Sequence, residues 1–150
     1  MTERIQGTVL DADGRPYVAA SVWFPNQKLP LNVPFLLDTG SDRTILSREA
    51  LIASGIGSFS GTRHRTEDLQ VYGSAIRLQV QLATFGFRTE THRLFYDVEV
   101  CIPPDEFLEQ GLPSLLGRDL LNRWRLLLDY RARVFRVDAH TWDARTALDR

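Results

Sequence analysis

Residues 76–82 read Ile-Arg-Leu-Gln-Val-Gln-Leu, an unbroken alternation of apolar and polar side chains. Successive residues of a β-strand point to opposite faces, so this pattern buries one face and wets the other, whereas on a helix it would scatter the apolar groups around the axis. Short segments rich in Val, Ile, Thr and aromatic residues recur along the chain with turn residues between them, which predicts an all-β domain. Segments 8–10 and 17–24 flank Asp11-Ala12-Asp13-Gly14, predicting a hairpin closed at Asp13-Gly14. Residues 69–71, 85–93 and 94–102 read as further strands, with Pro103 and Pro104 ending the run because proline cannot donate to a sheet ladder. A last strand is expected over 125–137.

Two short helices interrupt this pattern. Ser47 stands where an N-cap belongs, Glu49 falls in the first turn and Gly55 lies beyond the end, predicting a helix over 48–53. Leu120, Leu121 and Trp124 at helical spacing predict a second over 118–125. The glycine- and charge-rich stretch 55–68 is expected to belong to a mobile hairpin projecting from the body. The tail, 138–150, mixes charges with Trp142 and reads either as disordered or as part of a subunit contact.

At 150 residues and 43% hydrophobic, the chain has apolar material for one core, and a single domain over 1–150 is expected. A formal net charge of -1 gives no electrostatic footprint for nucleic acid or an anionic membrane surface. The first six residues lack the basic start and apolar run of a secretory signal, and no stretch has the length of a membrane span, so a cytoplasmic protein is expected. The lone Cys101 fits a reducing compartment and reads as a small buried hydrophobe.

The chemistry concentrates where the apolar run 33–37 meets Asp38-Thr39-Gly40-Ser41. A buried strand that ends in Asp-Thr-Gly delivers a carboxylate to a tight turn, and by itself such a turn is ordinary. A second element lies far downstream, Leu115-Leu116-Gly117-Arg118-Asp119, entering the second helix. Other chemistries find less support. His64, His92 and His140 have no ligand spacing, residues 11–14 lack the remaining oxygens of a calcium loop, and Ser41 and Ser47 sit in no nucleophile elbow. No metal and no cofactor is expected.

Together, Phe35-Leu36-Leu37-Asp38-Thr39-Gly40-Ser41 and Leu115-Leu116-Gly117-Arg118 resemble the retropepsins, the single-domain aspartic proteases of retroviral type and their bacterial relatives. The resemblance runs from about residue 33 to residue 129, and the order of the two motifs is more specific than either alone. It implies a closed β-barrel with a flap hairpin, and an aspartic endopeptidase acting on polypeptides. Because the chain carries one Asp-Thr-Gly, it implies a homodimer with the two Asp38 carboxyls face to face, since activating a water and protonating a carbonyl takes two carboxyls sharing one proton. By the same resemblance Thr39 bonds across the two-fold axis, Gly40 admits the substrate backbone, and Ser41 stands near the carboxylate. Asp42 and Arg118 form an ion pair from the loop to the late helix, and Leu115, Leu116 and Gly117 support the loop from beneath. The flap falls over 56–68, with Phe59, Gly61 and Thr62 as candidate contacts, though this stretch is bulkier and more charged than the glycine-rich family flap. That departure leaves a second reading open, a retropepsin-fold binding or dimerisation module without turnover.

Overall fold

The computed structural model describes residues 1–25, 27–53, 65–71, 73–104 and 111–149. Among the described residues, strands and helices follow in the order β1 (Glu3–Arg4), β2 (Thr8–Leu10), β3 (Pro16–Trp23), β4 (Leu31–Leu37), α1 (Arg48–Ala53), β5 (Arg65–Val71), β6 (Ser74–Arg88), β7 (His92–Ile102), β8 (Ser114–Leu116), α2 (Arg118–Leu121), β9 (Trp124–Asp129), β10 (Val134–Ala139) and β11 (Ala144–Ala147). The chain is mainly β, as the alternating segments predict. No helix among the described residues is long and apolar enough to cross a membrane.

The strands form two sheets. An eight-stranded sheet runs β11-β7-β6-β3-β4-β8, with β2 added on β3 and β5 on β6; a three-stranded sheet runs β1-β10-β9. The expected barrel is not closed, because β11 and β8 end the large sheet without pairing with each other. Both are short: β11 is four residues, all exposed, and β8 is three residues whose far side, among the described residues, meets a single bridge from Leu115 to Ile45.

Local chemistry accounts for most elements. In β4, Leu31, Val33 and Phe35 are buried while Asn32 and Pro34 face out. Pro34 lacks an amide to donate, and it lies before the stretch 35–37 that pairs with β8. The first hairpin forms around a loop at 11–15 in which the Gly14 amide donates to the Asp11 carbonyl and Gly14 takes a φ of 79°. Three boundaries differ from expectation. The stretch 85–93 is divided, its first part continuing the long β6 and its last opening β7. The second helix stops at Leu121, and 125–137 is a hairpin, β9 and β10, not one strand. The tail is neither disordered nor free: β11 pairs antiparallel with β7 from Ala144 opposite Phe95 to Ala147 opposite His92.

Between the sheets lies one main core, threaded by aromatic rings. Phe35 meets Phe85 at 5.3 Å between centroids, Phe87 meets Tyr96 at 5.7 Å, and Trp124 stands edge-on to Phe87 at 4.8 Å. Phe35, Phe85, Phe87 and Tyr96 are fully buried, each contributing about 1.5–3 kcal/mol of hydrophobic stabilisation. This cluster fixes β4 against β6 and so fixes the end of β4, where Asp38 begins.

Candidate active site

β4 lies between β3, its antiparallel neighbour, and β8, its parallel one, with Phe35, Leu36 and Leu37 opposite Ser114, Leu115 and Leu116. The ladder continues one step past the strand, where the Asp38 amide donates to the Leu116 carbonyl at 3.0 Å. The chain then turns and comes back along the other side of β8: the Ile45 and Leu115 amides donate to each other's carbonyls at 2.9 and 2.8 Å. β8 is thus gripped on both edges by the two arms of the loop 38–45. Leu116 is buried, and Leu115 is half-buried beneath the loop.

At Gly117 the two segments approach closely. A Cβ there would lie 2.4 Å from the carbonyl carbon and oxygen of Arg43, so only glycine fits. Its amide donates to the Thr44 hydroxyl at 3.2 Å, and that hydroxyl donates to Oδ1 of Asp119 at 2.7 Å. The Arg118 amide donates to the Ser41 carbonyl at 2.8 Å, and the Asp42 carboxylate pairs with the Arg118 guanidinium. Both of those side chains are half or more exposed, so this pair contributes at most about 1 kcal/mol; the buried backbone contacts hold the loop.

Asp38 is half-buried, and Oδ1 of its carboxylate accepts the Gly40 amide at 3.0 Å. Thr39 and Gly40 are exposed on the loop's crest. The Ser41 hydroxyl turns into the loop, donating to the Arg43 carbonyl at 2.7 Å, rather than toward the carboxylate. Expected lid residues Phe59, Gly61 and Thr62 lie outside the described residues. The described hairpin in this region is β5–β6, which closes with Val71 opposite Ser74 and with Gly73 at a φ of 79°. A positive φ at Gly73 suits the tight turns that match the twist of antiparallel strands.

Sequence reading missed the polar links between this hairpin and the loop. Arg65 on β5 binds both carboxylate oxygens of Glu99 on β7 at 2.7 Å, and those hydrogen bonds hold the Glu99 carboxyl below its ordinary range. Arg43, two positions past Ser41, places Nη2 3.3 Å from Glu67 on β5, close enough for charge attraction but not aligned for a hydrogen bond. Burial pushes the nearby Cys101 thiol up, which disfavours its nucleophilic thiolate. Among the described residues, no group of three or more His, Cys, Asp or Glu is gathered as a metal site.

No protein-family model and no curated protein matches this sequence. Solved structures do match. A strand that carries Asp-Thr-Gly into a loop wrapped around Leu-Leu-Gly is housed here in a retropepsin-like fold. The fold is similar to that of a retropepsin-like aspartic protease from Rickettsia conorii, with a TM-score of 0.52 and 18% identity over 99% of this chain and 94% of that one. The EIAV protease complexed with the inhibitor HBY-793 is more distant, with a TM-score of 0.46 and 17% identity over 75% of this chain and 89% of that one.

Proposed function

We propose that the chain is an aspartic endopeptidase that hydrolyses polypeptides as a homodimer, each subunit supplying one Asp38. The observation that carries this reading is the position of Asp38 on a loop stitched around β8 within a retropepsin-like fold. Two carboxyls brought together on a two-fold axis share one proton, because both cannot ionise easily at contact distance. The ionised carboxylate takes a proton from a bound water as that water attacks the scissile carbonyl carbon. The protonated carboxyl gives its proton to the carbonyl oxygen, producing a neutral tetrahedral diol. Collapse of the diol breaks the C–N bond, a proton passes to the departing nitrogen, and the shared proton is restored.

The exposed Thr39 serves the contact between the two loops, and Gly40 leaves room for an extended substrate backbone beside the carboxylate. A Cβ at Gly40 would come 3.2 Å from Asp38 Oδ1. The β5–β6 hairpin, tied at its base to Arg43 and Glu99, acts as the lid that excludes water over the dyad. In Asp38→Asn the neutral amide cannot serve as base, so cleavage of a peptide library between about pH 4 and 8 should vanish while fold and dimer persist. Specific cleavage by that variant would overturn the mechanism. Absence of cleavage by the unaltered protein across the same range, with no effect of pepstatin, would favour the binding-module reading.

A further inference from the structure

The outer face of the large sheet carries two arginines with no acid to meet them. Arg88 ends β6 directly opposite Arg93 on β7, and side chains so opposed have Cβ atoms about 4.5–5.5 Å apart. Like charges at that spacing destabilise the strand pair. Among the described residues neither guanidinium has an ion pair, although the chain as a whole carries a formal net charge of -1. The carboxylates of neighbouring elements are engaged elsewhere or stand apart. Glu3 faces His92 and Arg145, and Asp97 accepts the Thr84 hydroxyl. Glu90 and Asp149 line a separate hollow beside Arg88 without pairing with it.

The surface around the pair is shaped for contact. A Cβ at Gly86 would lie 2.6 Å from the Trp23 ring and 3.3 Å from Cδ of Arg93, so the glycine lets both side chains lie down over β6. The Arg93 guanidinium stands 5.8 Å from the Trp23 ring centroid, and the Phe95 ring lies 5.8 Å from Trp23 on its own centroid. An aromatic face attracts a guanidinium and holds its planar fork in one orientation. Beside this platform is an open depression of about 390 Å³, lined by Gly7, Ala19, Pro34, Gly86 and both arginines. It opens where two strands part. β3 and β6 pair only from Ser21 opposite Gly86 to Trp23 opposite Thr84. Beyond that the chain at 6–7 bridges the gap, the Gln6 amide donating to the Arg88 carbonyl at 2.7 Å and the Ala19 amide to the Gly7 carbonyl at 3.1 Å.

We infer that this depression binds an acidic segment of a polypeptide partner, an Asp or Glu side chain entering between Arg88 and Arg93 and an adjacent apolar side chain resting on Trp23 and Phe95. A guanidinium fork meets a carboxylate with two parallel hydrogen bonds, and a second guanidinium across the ladder is neutralised by the same charge or by a neighbouring one. The apolar platform gives the flanking residue a surface to cover. Openness decides the class of ligand. A small molecule is held by enclosing most of its surface, which this depression does not do, whereas an acidic side chain carried on a longer chain gains contacts on either side of it. The site shares no residue with the Asp38 loop, so it is separate from the endopeptidase reading.

The test is fluorescence anisotropy of a labelled Gly-Glu-Phe-Glu-Gly peptide against its Gly-Lys-Phe-Lys-Gly counterpart, on the unaltered protein and on Asp38→Asn to control for cleavage of the probe. The acidic peptide should bind and the basic one should not. Arg88→Gln and Arg93→Gln should each weaken binding about tenfold, the loss of one charge-assisted contact. Arg88→Gln relieves repulsion across the ladder, so it should not lower the melting temperature. The double variant Arg88→Glu, Arg93→Glu should transfer the preference to the lysine peptide, which damage to the fold would not produce. Absence of binding by the acidic peptide, equal binding of both peptides, or affinity untouched by either single substitution would overturn the inference. Displacement of the peptide by an equal concentration of inorganic phosphate would also overturn it, marking a small-anion site instead. Cleavage dependent on Asp38 can persist in every one of these cases, so the two readings fail separately.

Discussion

The Thr44 hydroxyl donates to Asp119 Oδ1 at 2.7 Å while the Thr44 amide donates to Oδ2 at 2.9 Å, so one carboxylate clamps the returning arm of the Asp38 loop to the start of α2. Thr44 is fully buried, and its oxygen also accepts the Gly117 amide, which uses the hydroxyl as donor and acceptor at once. Thr44→Val keeps the shape and removes both roles, leaving a buried amide and a carboxylate short of a partner. It should cost about 1–3 kcal/mol in urea unfolding, with an unchanged denaturant slope, whereas Thr44→Ser should stay near the parent.

Gly117→Ala sets a methyl 2.4 Å from the Arg43 carbonyl, and backbone, unlike the end of a flexible side chain, cannot swing away. The expected loss is about 3 kcal/mol, the upper part of the overpacking range, and it should appear as a lower melting temperature. Gly40→Ala makes the informative contrast. Its nearest neighbour is the movable Asp38 carboxylate at 3.2 Å, so the fold should hold and peptide cleavage should fall.

These two sites show what the sequence could disclose. The run into Asp38 was legible because strand burial and turn chemistry are local, whereas the supporting place of Leu115-Leu116-Gly117 was implied only by the family resemblance. Thr44 was not legible, since a threonine ahead of Ile45 and Leu46 looks like ordinary strand until Asp119 is brought to it by the fold. The β9–β10 turn was invisible for a different reason. Residues 130–133 contain no glycine or proline, and the turn is made by Arg133 at a φ of 54° with Asp129 accepting the Ala132 amide. The expected lid over 56–68 rests on the family resemblance, and its contacts Phe59, Gly61 and Thr62 lie outside the described residues, while the described hairpin turns at Gly73. Barrel closure depends on whether two distant edge strands meet, which no local pattern encodes.

Glu99 gives a pH dependence with a definite sign. Its folded carboxyl is held below the ordinary value of 4.5 by the Arg65 hydrogen bonds, so the stabilisation is complete above that value and is lost as pH falls through the lowered folded one. The tie spans β5 and β7, so acid should loosen the base of the β5–β6 hairpin ahead of the core. Hydrogen exchange of β5 amides should accelerate below about pH 4 relative to β3, and Glu99→Gln should remove that difference.

Trp124 anchors the start of β9 by donating its indole N–H to the Tyr96 hydroxyl at 2.9 Å, in a cluster where the Tyr96 ring is fully buried. Tyr96→Phe creates no large cavity but leaves the indole donor without a partner, so the expected cost at neutral pH is about 1–3 kcal/mol. Burial raises the Tyr96 phenol above its ordinary value of 10.0. In alkali the unfolded phenol therefore ionises first, and wild-type stability falls as pH rises from that value through the raised folded one. The phenylalanine variant has no such group at this position. Measured by urea unfolding, the gap between the two proteins should accordingly narrow above pH 10.0; a gap that stays constant would mean that the phenol ionises equally in both states and that its burial carries no electrostatic cost.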